Sequence, residues 1–174
     1  MLNHVQRSWL WAEGFARLRG LEADHELLYV SALLHDLGIV PEFDNATLAY
    51  EDAAGHVAIA LTAGAGWPEQ RRIRAHEVIV RHNWPEVDPA MDAEGHLLEI
   101  ATALDISGAR ADELPLEFQR EVLREYPRLE LAAEFGACVA DQAERKPETS
   151  ARRLVDGGVQ RKLRDNPLER ILEG

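Results

Sequence analysis

The stretch ELLYVSALLHDLG, residues 26–38, is an apolar run that closes on a histidine and an aspartate. Its apolar residues recur every three to four positions, which predicts a helix with Asp24 as its N-cap and Gly38 as its stop. His35 and Asp36 then fall in the last turn of this helix. Two ionisable side chains at the end of a hydrophobic helix are costly to bury unless a partner compensates them.

The same helical spacing recurs along nearly the whole chain, and no segment shows a convincing strand-like alternation. We therefore predict an all-α, single-domain bundle with residues 1–156 as its core and 157–174 as a charged C-terminal tail that either docks or frays. Capping residues, glycines and prolines divide the core. The predicted helices cover approximately residues 3–19, 24–38, 47–63, 68–82, 92–106, 116–126, 128–146 and 150–155, with a weak helical stretch at 167–172.

Composition narrows the class of protein. The chain has 174 residues, of which 46% are hydrophobic, enough for the core of one domain. Its 19 basic and 31 acidic residues give a net charge of -12, which opposes binding to nucleic acid or to an anionic membrane surface. The single cysteine, Cys138, excludes an internal disulfide framework, and no stretch is long enough to span a bilayer. We expect a cytoplasmic protein.

A bound divalent metal is the partner that these ionisable residues predict. His4 lies in the first turn of the first predicted helix, and Asp105 ends another apolar run, LLEIATAL. Neighbouring helical residues point roughly 100° apart, so His35 and Asp36 can both reach an ion only at the helix edge. Nitrogen and oxygen ligands together suit zinc, iron, manganese or nickel.

Residues 3–110 resemble the HD-domain superfamily of metal-dependent hydrolases, whose pattern is a His, a His-Asp pair and a distant Asp. Within it the chain most resembles the cyanamide hydratase-like group. The order and spacing of several short stretches carry the resemblance: NHVQRSW at 3–9, LYVSALLHDLG at 28–38, Tyr50-Glu51 before an Ala/Gly-rich helix, IVRH at 79–82, and LLEIATALDISG at 97–108.

The resemblance implies an all-α HD-type fold in which His4, His35, Asp36 and Asp105 are the metal ligands. It also implies an enzyme in which metal-activated water attacks a small molecule, such as the nitrile cyanamide. Many HD phosphohydrolases carry a Lys three residues after the Asp of the pair, where this chain has Ile39, so a phosphate substrate is less favoured.

The number of metals and the proton-transfer groups stay open at this point. His56 and His82 lie at separations compatible with a dinuclear site, but the resemblance places Tyr50 and Glu51 where a second-metal histidine would fall, so we prefer one ion. Glu51 and His82 are our candidates for catalytic proton transfer, because each lies in a resembling segment beside apolar helical positions.

Two other functions remain open. The chain is alternatively a nucleotide or phosphoester phosphohydrolase, or a non-catalytic binding domain with a relict metal site.

Some residues near the expected site carry smaller expectations. The site is flanked by Trp84, Phe43 and Tyr50, and we expect one or two of them to form the wall of a small-molecule pocket. Arg7 fits either an anionic substrate or a salt bridge, and His96 is expected at the surface. A paired helical face is compatible with a homodimer.

Overall fold

Helices are the regular structure of this protein in the computed structural model, which describes residues 1–172; the last two positions of the predicted tail lie outside it. The all-α prediction is confirmed. Short 3-10 turns lie at Leu37–Ile39, Ala111–Glu113 and Pro167–Arg170. The α-helices are α1 (Leu2–Arg19), α2 (His25–Leu34), α3 (Tyr50–Gly64), α4 (Glu69–Arg81), α5 (Ala93–Ser107), α6 (Leu116–Glu125), α7 (Leu131–Arg145), α8 (Ser150–Asp156) and α9 (Val159–Arg164).

The helix ends follow the capping chemistry of the sequence. Asp24 and Asp92 accept hydrogen bonds from backbone N–H groups three residues on, at the starts of α2 and α5. Gly20 and Gly108, with φ of 62° and 74°, end α1 and α5 in the left-handed conformation. Three boundaries differ from expectation by three residues or more: α2 stops at Leu34, where the chain tightens into a 3-10 turn, α3 begins at Tyr50 rather than 47, and α7 begins at Leu131 rather than 128. The helix α9 lies in the segment that was predicted as a tail.

The helix α5 lies at the centre of the molecule and packs against α1, α2, α4 and α9. Ten of its residues are buried, including the run from Gly95 to Thr102. The larger apolar cluster joins α1, α2, α4 and α5, and Trp11, Phe15 and Leu97 are fully buried in it. A second cluster is built mainly from α7, α8 and α9. The site described below contacts both clusters, since the His4 ring lies 5.8 Å from the Phe135 ring and Asp105 accepts a hydrogen bond from Trp11.

The C-terminal segment, predicted as a charged tail, packs onto the bundle. Val159, Leu163 and Leu168 are at most 2% exposed. The Asn166 amide donates a hydrogen bond of 2.9 Å to the backbone carbonyl of Asp105 in α5. Of the two outcomes considered for this segment, docking is the one observed as far as residue 172.

The expectation that His96 lies at the surface is wrong. Its ring is buried beneath the loop before α5, and Nδ1 donates to the Val87 carbonyl at 2.7 Å. Its Nε2 lies 2.9 Å from the Arg19 guanidinium. No helix in the part of the chain that the structure describes has the length and apolar composition needed to cross a membrane.

Candidate metal centre

Three of the four predicted ligands meet at one buried point. His4 comes from the first turn of α1, and His35 and Asp36 come from the tight turn after α2. The His4 Nε2 atom lies 3.2 Å from His35 Nε2 and 3.2 Å from Asp36 Oδ2. His35 Nε2 lies 3.3 Å from the same Asp36 oxygen. Among residues 1–172 these side chains form the one group of three or more potential ligands whose atoms lie within 4.8 Å of one another.

Hydrogen bonds on the far side of each imidazole direct the Nε2 atoms toward this point. His35 Nδ1 donates to the Ala32 carbonyl at 2.7 Å, and His4 Nδ1 donates to Asp105 Oδ2 at 2.7 Å. Each ring therefore presents an Nε2 lone pair, the form in which imidazole binds a metal.

Asp36 shows that the centre needs positive charge. Its carboxylate is 3% exposed, and neither oxygen accepts a hydrogen bond from the described residues. Burial raises the pKa of Asp36, but the nearby His35 and His4 rings outweigh it and hold the pKa well below the ordinary value. Burial lowers the pKa of His4, but Asp105 and Asp36 outweigh it and raise the pKa overall. A proton or a divalent cation can supply that charge, and two imidazoles and a carboxylate fit a divalent ion.

Asp105 lies on the opposite side of the His4 ring from the three meeting atoms. It is fully buried, and besides His4 its oxygens accept from Arg7 Nε at 2.8 Å, Arg7 Nη2 at 2.8 Å and Trp11 Nε1 at 2.9 Å. Burial raises the pKa of Asp105, but His4 and Arg7 outweigh it, so the pKa is lowered. Its role as a fourth ligand stays a prediction. Of the two roles considered for Arg7, the salt bridge is the one observed.

A cavity of about 270 Å³ opens at this centre. One face of α5 forms a wall, with residues at i, i+3, i+4 and i+7 from Glu99 to Ile106. The aromatic side chains in the lining are Tyr50, Trp84 and Phe135, and the cations are Arg153 and Lys162. Of the three aromatic residues expected to flank the site, Tyr50 and Trp84 line this cavity, whereas Phe43 is not among its lining residues.

The two candidates for proton transfer occupy different positions. His82 lines the cavity, and its Nδ1 donates to the Ile79 carbonyl, which leaves Nε2 as an acceptor. Burial and the neighbouring His35 ring lower the pKa of His82 to about 3, so this imidazole is neutral near pH 7. Glu51 is buried outside the set of lining residues and accepts a hydrogen bond of 2.6 Å from the Ser150 hydroxyl. Its catalytic role stays a prediction.

Two features of the cavity were missed from the sequence. The Asn83 amide donates to the Tyr50 hydroxyl at 2.7 Å, so the phenolic proton is left for another acceptor. Burial and the charge of Asp36 raise the pKa of Tyr50 well above its ordinary value, which keeps that proton in place. Glu99 is the second feature, a buried carboxylate in the cavity wall. The one signal in the sequence was the position of Asn83 directly after His82.

Comparison with known proteins agrees with this geometry. The model of the HD domain family matches residues 1–107, more than half of the chain. Cyanamide hydratase DDI2 and cyanamide hydratase DDI3 of Saccharomyces cerevisiae are each 28% identical to it over 151 residues, which span 84% of this chain and 67% of each relative. With its all-helical bundle and its buried His4, His35 and Asp36, the chain belongs to the HD domain family, whose members are generally metal-dependent hydrolases.

Proposed function

We propose that this protein adds water to a small molecule at a single divalent metal ion, with a nitrile such as cyanamide as the substrate. The observation that carries the proposal is the unsatisfied Asp36 carboxylate, which meets two imidazole Nε2 atoms at a cavity of about 270 Å³. Pockets for drug-sized ligands are typically about 300–1,000 Å³, so a cavity of this size favours a small substrate. The names of the two yeast relatives add weight to cyanamide.

His4, His35 and Asp36 would hold the ion. A divalent ion such as zinc, iron, manganese or nickel would supply Lewis acidity and lower the pKa of a coordinated water toward neutrality. Asp105 would keep His4 in the Nδ1–H tautomer and hold its ring in place.

Side chains of the cavity would form hydrogen bonds to the substrate and to the attacking water, and would exclude bulk water. Hydration of cyanamide to urea adds one water, with oxygen joining the carbon and both hydrogens ending on nitrogen or exchanging with solvent. The Tyr50 hydroxyl, positioned by Asn83, would donate a hydrogen bond to the substrate atom that gains electron density. The neutral His82 Nε2 would accept a hydrogen bond from the attacking water and orient it, because an imidazole with a pKa of about 3 holds a proton too weakly to act as the base near pH 7. Phe135 and Ile106 supply apolar wall around them.

The test is hydration of cyanamide by protein of known metal content, with urea measured as the product. We expect turnover that requires about one divalent ion per chain and that disappears on chelation. Tyr50→Phe should lower kcat by about tenfold to a hundredfold and leave the metal content unchanged, since it removes one hydrogen-bond donor. Fully metallated protein that hydrates neither cyanamide nor another small nitrile would refute the proposal.

Phosphoester hydrolysis is the second candidate, because two cations line the cavity. Arg153 and Lys162 extend from α8 and α9 and make no ion pair with other residues in the range 1–172. Ile39 stands where many HD phosphohydrolases carry their Lys, so these two would have to bind the phosphate. A panel of phosphomonoesters decides between the candidates. If phosphoester hydrolysis is the function, Lys162→Ala should raise KM for them.

A further inference from the structure

Glu99 is a buried carboxylate with no partner in the described protein. Glu99 is only 7% exposed and lines the cavity. The carboxylate makes no hydrogen bond and no ion pair with any residue between positions 1 and 172. Its oxygens keep access to the cavity, unlike those of Asp36, which are enclosed. A carboxylate in so poorly solvated a place is still costly to leave without a partner. Burial accordingly raises the pKa of Glu99.

The position of Glu99 along α5 separates it from the metal centre. It shares one helix face with Thr102 and Ile106, both of which also line the cavity. Glu99 precedes Asp105, the hydrogen-bond partner of His4, by six residues, which corresponds to about 9 Å of helix at about 1.5 Å per residue. A carboxylate so placed is suited to a part of the ligand other than the carbon that water attacks.

The charges around Glu99 differ from those around the metal centre. The charged groups close enough to affect its pKa are Arg110, Glu86 and Arg19, and none of them pairs with it. Arg153, by contrast, affects the pKa values of Tyr50 and Glu51 at the start of α3. The cavity therefore has an acceptor at the Glu99 end, apart from the cation contributed by α8.

We propose that Glu99 is a specificity-determining residue that binds an N–H donor of the substrate, so that the substrate class is a nitrile bearing an amino group several bonds away from the nitrile carbon. This inference rests on the proposed function and deepens it. The amino nitrogen of cyanamide is bonded directly to the nitrile carbon, which is short against the offset of about 9 Å between Glu99 and Asp105 along α5. An amino-substituted alkyl nitrile brings its amino group closer to Glu99. The ammonium or amine would give the buried carboxylate the partner it lacks.

The experiment compares two nitriles of the same length on the metal-loaded full chain. In 3-aminopropanenitrile an amino group replaces the terminal methyl of butanenitrile. We expect kcat/KM to be about tenfold or more higher for the amino compound, the size expected for a hydrogen bond to a charged group. In Glu99→Gln this preference should fall below about threefold. The control Glu121→Gln makes the same charge change at an exposed position outside the cavity and should keep the preference.

A binding measurement separates this inference from the proposed function. Calorimetry with the corresponding amides, 3-aminopropanamide and butanamide, needs no turnover. Tighter binding of the amino compound that is lost in Glu99→Gln would support the inference even if no nitrile were hydrated. Hydration of both nitriles at equal kcat/KM by the native protein would overturn it while leaving the proposed function intact. That comparison needs no variant, so it stands even if Glu99→Gln does not fold.

Discussion

Replacing Asp105 with asparagine tests whether the buried network behind His4 is formed as the structure shows it. The carboxylate accepts from His4, from two nitrogens of Arg7 and from Trp11, and all four residues are fully or almost fully buried. An amide of the same shape has one accepting oxygen and one donating nitrogen. At least one donor would then face an N–H group, and the Arg7 guanidinium would lose its counter-charge.

The size of the effect follows from that burial. Removing one partner of a buried ion pair costs about 3–5 kcal/mol, since it leaves an uncompensated charge out of water. In a chain of this length each kcal/mol shifts the melting temperature by about 2–4 °C. We therefore expect Asp105→Asn to melt about 6–20 °C below the native protein. This loss takes a large share of the total stability of an ordinary domain, which is about 5–15 kcal/mol.

The assay is thermal unfolding followed by circular dichroism in the presence of a chelator, so that no metal contributes to the difference. Asp156→Asn is the matched control, because Asp156 pairs with Arg152 at an exposed position and should leave the midpoint unchanged. A midpoint within about 2 °C of the native value in Asp105→Asn would refute the network. With metal present, a role through His4 predicts a 10- to 100-fold loss of metal affinity.

Three further substitutions test the centre and its support. Asp36→Ala removes the carboxylate that accepts no hydrogen bond, and we expect the metal content measured by mass spectrometry to fall from about one ion per chain to near zero. A variant that still binds one ion per chain would show that Asp36 is not a ligand. Burial raises the pKa of Glu51 above its ordinary 4.5, so the native protein should lose stability relative to Glu51→Gln as pH rises from about 4.5 through the folded-state pKa. Urea unfolding over a pH series measures this difference, and a difference independent of pH would contradict the reasoning. Gly38→Ala places a Cβ 2.0 Å from the backbone oxygen of Tyr50, and we expect the free energy of unfolding to fall by about 3 kcal/mol. Gly64→Ala is the control, because its Cβ meets nothing within 4 Å. Equal melting temperatures for the two variants would show that the clash is relieved without cost.

Local chemistry explains which parts of the fold could be predicted from the sequence. Helix starts at Asp24 and Asp92 and helix stops at Gly20 and Gly108 depend on residues within one turn, so these boundaries were accessible. The early end of α2 could not be predicted in this way, because the turn beyond Leu34 packs Gly38 tightly against the backbone of α3. That contact is between segments distant in the chain.

The same distinction between local and long-range contacts separates the site residues that could be predicted from those that could not. His35 and Asp36 are neighbours in sequence, and the resemblance supplied His4, so the three meeting side chains were all named in advance. Glu99 and the Tyr50–Asn83 pair were missed, since only the packing of α3 and α5 around one cavity gives them a role. Sequence spacing does not show which face of a helix lines a cavity.

The order in which the chain is synthesised constrains how the candidate metal centre forms. His4 and the turn at 35–36 are translated long before Asp105, which is 101 residues beyond its hydrogen-bond partner. At about 5–20 residues per second, His4 of a nascent chain would stay without the shelter of α5 for about 5–20 s. Asn166, which holds the backbone of Asp105, is synthesised later still. On a ribosome, ion capture and burial would thus be separate events, and a growing polypeptide would expose its histidines to whichever cation the cell offers first.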